Sequence, residues 1–278
     1  MNYEQPTKGI ASFPMWRAGL VTSLGPTQRV WAVGAVHGEK AKLGSVLRQI
    51  KADFQAGDRV VFLGNHHGYG EQVKECVDEI LLFRRWVMAK PGGETGHVVI
   101  LRGAQEEMWQ KLLQLQMTTD PFNVLQWMLD HGTASAISSY GASPQEGLRS
   151  ARDGALTLTR WTNALRQLVR QHDGHFQLMS ALSHAAAAEK LLFVSASINP
   201  AKEINDQGDL FWWGNSNLAD MVTPYSGFNL VVHGLNRRKK GILVGDYALS
   251  LDGGAGLGGK LVAACLDSEG KILIEIEG

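Results

Sequence analysis

Four histidines stand where a parallel sheet keeps its chemistry. His37, His66, His67 and His233 lie in segments rich in glycine that follow short apolar runs: GAVHG (34–38), GNHHGYG (64–70) and VVHGLN (231–236). RGAQEE (102–107) and FVSAS (193–197) end two further apolar runs in the same way. Imidazole is a common metal ligand and carries protons near neutral pH. Three such rings could hold a single Zn, with His37, Asn65 and His67, or His233, as the residual candidates. Neighbouring side chains in an extended chain point apart, however. His66 and His67 are therefore expected to be an ordinary solvated pair, and His37 a hydrogen-bonded residue. Ser195 has no base and acid placed for a nucleophile pattern, and GASPQEG reads as a loop and not a nucleophile elbow. Arg102 and the run Arg237-Arg238-Lys239-Lys240 could grip a phosphate, although a solvated turn explains the run as simply. GLGG (256–259) lacks the Lys-Ser/Thr and the helix of a phosphate loop, and reads as a turn between strands.

The elements that must position these residues alternate. RVWAVG is a strand, and the helix after it carries Leu43, Val46, Leu47 and Ile50 on one face. DRVVFLG, the helix EQVKECVDEILLFRRWVMA and the strand HVVILRG continue the pattern, which implies a parallel sheet with right-handed crossovers. Thr118-Thr119-Asp120-Pro121 is a good helix start. Further helices are expected over 144–152, 156–170 and 174–188. The pattern then turns to β in KLLFVSAS, FNLVVHG, GILVGDYALSLD, KLVAACLD and KILIEIEG, which predicts a second mixed or antiparallel sheet packed on the first. Residues 1–28, punctuated by Pro6, Pro14, Gly25 and Pro26, read as an irregular arm, and 29–278 as one domain. The strand ends of a parallel sheet lie side by side, so the five segments should meet in one cleft.

Read together, the five segments resemble the calcineurin-like metallophosphoesterases, in the branch of protein serine/threonine phosphatases and symmetrical diadenosine-tetraphosphate hydrolases. That family carries GDxHG, GDxxDRG, GNHE, an HAG-type segment and a final GH in this order. LDHGTASAISSYG, GDLFWWG and LDGGAGLGGKL are similar to further blocks of the same branch, so the likeness covers about residues 29 to 278. It implies a four-layer αββα sandwich of two mixed sheets flanked by helices. It also implies two divalent metals (Mn, Fe or Zn in relatives) that share an Asp and a water attacking phosphorus.

Carried over by position, the first Asp falls on Ala35, and its His is kept as His37. The shared Asp falls on Asn65, the second Asp of that motif on Gly68 and its phosphate-binding Arg on Tyr69. The ligand Asn becomes Ala104 and the general-acid His becomes Gln105, while Glu106 is kept. The two later ligand His positions hold Ser195 and Leu235. Two close dications need anionic ligands, and each charge missing at ligand range removes several kcal/mol. No cofactor and no catalytic residue are therefore expected. His37, Asn65, Arg102, His233 and Arg237 remain as candidate ligand-binding residues.

The totals narrow the partners. Of 278 residues 44% are hydrophobic, ample for a core, and the 27 Lys and Arg balance the 27 Asp and Glu. A zero formal charge argues against an obligatory nucleic-acid partner. Cys76 and Cys265 have no metal-ligand spacing, and Cys265, in the apolar run KLVAACLD, reads as a buried structural thiol. The N-terminus is a poor signal peptide and no run spans a membrane, so a cytoplasmic protein is expected. The 32 glycines point to many tight turns. Two functions follow. The first is a pseudophosphatase that binds a protein partner or a phosphorylated small molecule. The second is a residual or rewired metal-dependent phosphoesterase. Trp109, Trp127, Trp212 and Trp213 are expected in the core.

Overall fold

The computed structural model describes residues 20–278 apart from 215, 216, 237 and 238. The chain opens with β1 (Val21–Ser23) and β2 (Arg29–Val33), followed by α1 (Lys40–Asp53), β3 (Arg59–Phe62), α2 (Val73–Met88) and β4 (Val98–Ile100). A helical stretch follows: α3 (Ala104–Leu112), α4 (Pro121–Met128), α5 (Ala134–Ser139), α6 (Pro144–Asp153), α7 (Ala155–Arg170) and α8 (His175–Ser180). Next come β5 (Ala185–Ala188), β6 (Leu191–Val194), α9 (Leu210–Trp213) and β7 (Leu230–His233). β8 (Gly241–Val244), β9 (Ala248–Asp252), β10 (Val262–Asp267) and β11 (Ile272–Glu277) complete the chain.

Two mixed sheets result. One has five strands in the order β11-β10-β2-β3-β4, and the other has six in the order β1-β5-β6-β7-β9-β8. β2, β3 and β4 run parallel, as do β6, β7 and β9. The period of two along each strand sorts side chains between layers. Trp31, Val33, Val60 and Phe62 face the core shared with α1, α2 and the helical stretch. Val30, Ala32, Val61 and Leu63 meet Phe193, Val232 and Leu251 between the sheets. On the far side of the six-stranded sheet Leu192, Val194 and Val231 pack on Phe211, Trp212 and Tyr225. The four-layer sandwich of two mixed sheets is present. Its thinner outer layer consists of α9 and short 3-10 turns.

The helices form for the reasons their sequences give. α2 buries Val73, Cys76, Val77, Ile80, Phe83 and Val87 on one stripe. Asp120 accepts the Asn123 N–H at 3.1 Å, with Pro121 opening α4. α2, α5 and α8 are joined by polar bonds that run from the buried His175 out to Asp78 at the surface. His175 bridges Asp78 (3.0 Å from Nε2) and the Tyr140 hydroxyl (2.9 Å from Nδ1).

Three expectations are corrected. The arm expected over 1–28 contributes β1, which pairs with β5 through Val21, Thr22 and Ser23; residues 1–19 lie outside the described residues. The helix expected over 174–188 stops at Ser180, and Ala185–Ala188 is a buried strand, because strand neighbours on both edges outweigh alanine's helix preference. KLVAACLD and KILIEIEG join the first sheet as β10 and β11. GILVGDYALSLD is β as expected and forms the hairpin of β8 with β9. Among the described residues no helix is long and apolar enough to cross a membrane. Both cysteines are buried and unpaired, and burial pushes both thiols up from their ordinary range.

Candidate functional site

The ends of β2, β3, β4 and β7 open onto a cavity of about 190 Å³. His37, Asn65, Tyr69, Ala104, Gln105 and Leu235 line it, so four of the five segments read from the sequence converge there, while FVSAS (193–197) adds no lining residue. Met108, Trp127, His131, Trp213, Lys239, Asp252, Gly256 and Leu257 also belong to its lining.

The floor is a pair of interlocked loops. His37 and Asn65 both adopt left-handed backbone conformations (φ 52° and 54°), a strain that the surrounding bonds sustain. The N–H groups of Val36 and His37 donate to the Asn65 carbonyl at 3.1 and 2.8 Å, and the Gly70 N–H donates to the His37 carbonyl at 2.7 Å. The His37 ring sets Nδ1 3.2 Å from the His67 carbonyl and tilts against Tyr69. Gly68 has φ +142°, and a Cβ there would run into His37 Nδ1. Burial lowers the His37 pKa, with Glu106 and Asp252 opposing, so the ring is neutral at pH 7.

Beneath the floor lies Glu106, fully buried in the first turn of α3. Its Oε1 accepts the N–H groups of His66 (2.8 Å) and His67 (3.0 Å), and Oε2 those of Asn65 (2.8 Å) and Gly103 (2.9 Å). His67 adds its ring Nδ1 at 3.2 Å and lies flat on Trp109, 5.5 Å between centroids. Burial pushes this carboxyl up, yet the neighbouring histidines and the N–H bonds hold it well below the usual carboxylate range. His66 is sealed beside Phe62, and burial lowers its pKa as well. The solvated pair expected at 66 and 67 is therefore wrong: both rings are buried, because the carboxylate draws their backbone inward.

Comparison with known proteins gives a fold and no closer relative by sequence. No family model and no curated protein matches the chain. A solved structure of a provisionally assigned diadenosine tetraphosphatase superposes with a TM-score of 0.53 at 18% identity, covering 93% of this chain and 98% of its own. A Saccharomyces cerevisiae protein serine/threonine phosphatase (TM-score 0.48, 10% identity, 88% and 76% coverage) gives a looser match. So does a metallophosphoesterase from Sphaerobacter thermophilus (0.43, 13%, 90% and 88%). The chain shares the fold of the provisionally assigned diadenosine tetraphosphatase structure.

The metal pair implied by the motif resemblance does not fit the residues present. Ala35, Gly68, Ala104 and Leu235 offer no donor, and Asn65 Oδ1 accepts the Gln105 N–H at 3.1 Å. His67 is spent on Glu106. Among the described residues no three His, Cys, Asp or Glu side chains are grouped to hold a metal.

Other candidates fall elsewhere in the fold. Arg102 pairs with Glu107 at 2.9 Å and lies over Trp212, off the cavity lining, so it is not a free phosphate anchor. His233 is buried, with Nδ1 2.8 Å from the Leu235 carbonyl, and burial lowers its pKa to about 4. Ser195 is buried beside Gly64, where a Cβ would approach its Oγ to 2.6 Å. Ala35 is buried off the lining, and Arg237 lies outside the described residues.

Sequence reasoning missed part of the cavity wall. Trp127 and Trp213, expected in the core, are 47% and 41% exposed at its rim. A kink at His131 and Gly132 (φ 101°) turns the His131 carbonyl onto Gln105 Nε2 at 2.8 Å. The block LDGGAGLGG carried a signal for Asp252 and Gly256, since its likeness to the closing family segment was visible. GLGG lies in a 3-10 turn whose Gly256 packs on His37. The i,i+4 pair Trp127 and His131, stacked at 4.3 Å, left no signal beyond its spacing.

Proposed function

We propose that this chain is a pseudophosphatase: a metallophosphoesterase-fold protein that binds without hydrolysing, with no resident metal. Its ligand is a partner protein or a small molecule, the phosphorylated class expected from the motifs included. One observation supports the reading. The loops that would carry catalysis still frame a cavity, while a methyl, two carboxamides, a leucine and aromatic rings are what they turn towards it. The only imidazoles among the described lining residues are His37 and His131, and His37 is neutral at pH 7 for the reason given above. Two buried unpaired thiols suit a reducing, cytoplasmic compartment.

The test is metal analysis of purified protein after incubation with Mn, Fe or Zn, together with turnover of an aryl phosphate and of a dinucleoside polyphosphate. Substoichiometric metal is expected, with rates no higher than those of His37→Ala. Stoichiometric metal together with turnover that His37→Ala abolishes would sink the reading in favour of a rewired phosphoesterase.

A further inference from the structure

We propose that the cavity takes a small planar heteroaromatic molecule with a ring N–H donor and a single negative charge, bound without metal, in preference to a phosphate ester. The proposal deepens the function above and rests on the cleft being a binding site.

Shape points to a flat ring. Trp127 and Trp213 stand at the rim with centroids 6.4 Å apart and planes at 51°, and Tyr69, 38% exposed, forms part of the same lining. Three half-exposed aromatic faces around one opening offer stacking and edge contacts to a ring, which strengthen binding beyond area burial alone. The volume of about 190 Å³ admits a fused ring system with a short acid arm.

Hydrogen bonding points to an N–H donor. Gln105 Nε2 donates to the His131 carbonyl at 2.8 Å, which fixes the orientation of the amide. Its Oε1 is then an acceptor, buried and without a partner among the described residues. A buried acceptor left unmet is costly, and a ligand that supplies its proton recovers that cost.

Charge decides between acids. Lys239 is the lysine on the lining, and no ion pair joins it to another described residue. On the same lining the Asp252 carboxylate accepts the N–H groups of Asn236 (2.7 Å) and Gly254 (2.9 Å), and Glu106 is buried below the floor. One ammonium matches one carboxylate. A doubly charged phosphate would leave a charge unmatched near two carboxylates, and the Lys ammonium lacks the fork that grips phosphate oxygens.

The experiment is calorimetric titration of the full chain, stripped with chelator, with indole-3-acetate as the probe. Saturable 1:1 binding is expected. 1-Methylindole-3-acetate, which lacks the donor, should bind at least about tenfold more weakly, as should indole-3-acetate to Trp127→Ala. Lys239→Met should lose the preference for indole-3-acetate over indole-3-ethanol. Trp127 and Lys239 sit at the rim, and the methylated probe tests the same contact in the unaltered protein, so misfolding of a variant cannot decide the outcome. Absence of saturable binding, indifference to N-methylation, or tighter binding of phenyl phosphate would overturn the proposal. Turnover with bound metal would instead overturn the proposed function, and the titration with chelated protein separates the two.

Discussion

Asn65 Oδ1 accepts the backbone N–H of Gln105 at 3.1 Å, which ties the loop after β3 to the first turn of α3. The residue at the position of the shared Asp therefore works as a staple between two strand ends, while its own backbone sits at φ 54°. Two effects can be separated at this one site. Asn65→Gly keeps the backbone at ease and loses the bond, so it should cost about 1 kcal/mol. Asn65→Ala loses the bond and places an alanine in the left-handed region, for a total of about 2–3 kcal/mol. Urea unfolding of both variants measures the difference; equal losses would show that the left-handed backbone adds nothing.

Glu106 gathers four backbone N–H groups and one imidazole. Glu106→Gln removes the charge and turns an amide donor towards those donors, at a cost of about 3–5 kcal/mol. The pH dependence has a definite sign. The folded pKa lies below the ordinary carboxylate value, so the stabilisation is full above the unfolded pKa of 4.5 and is lost as pH falls below it. Urea midpoints at pH 3, 5 and 7 should show the gap between wild type and variant closing towards acid. A gap that is constant across this range would refute the assignment.

His233 acts in a different window. Its folded pKa is about 4 against 6.5 for the free side chain, so the unfolded chain binds the extra proton between these values. Stability from this group is full above pH 6.5 and falls by about 3 kcal/mol as pH drops through 4. His233→Gln keeps a donor for the Leu235 carbonyl and cannot take up that proton. Its stability should change less than that of wild type between pH 6.5 and 4.

Gly68 tests whether the acid at its motif position can be restored by one substitution. At φ +142°, with the His37 ring where a Cβ would stand, Gly68→Ala and Gly68→Asp should each destabilise the fold by about 2–4 kcal/mol. Truncating the opposing ring relieves the clash. The double variant Gly68→Ala with His37→Ala should therefore be more stable than the sum of the single losses predicts. Thermal and urea melts of the three proteins form the cycle, and strict additivity would count against the contact.

The sequence carried the frame of the site more legibly than its walls. Apolar runs ending in glycine marked β2, β3, β4 and β7, and with them the convergence of His37, Asn65, Gln105 and Leu235, while β6 runs into Ser195 and Ala196. Local pattern failed where long-range pairing decides. Ala185–Ala188 has helix-forming residues but is held between β1 and β6. β10 returns beside β2, an assignment that needs the register Ala264 to Ala32 and not the composition of either strand. α3 was read only as a polar strand end, although Glu106 at its third position is a capping residue over Gly103. Trp127 and Trp213 were placed by the average behaviour of tryptophan, which says nothing about a ring at the rim of a cavity.

The Glu106 clamp has a consequence for how this surface can change over generations. Loops joined by a shared cation depend on the side chains that ligate it, so losing one ligand loosens all of them. Here the loops after β3 and β4 are held from below, through backbone N–H groups that every residue except proline possesses. Side chains above the clamp that neither staple the loops, as Asn65 does, nor pack against a neighbour, as His37 does at Gly68, can then be exchanged with little effect on the path of the chain. The remaining wall of the cleft can therefore vary without the fold first having to be rebuilt.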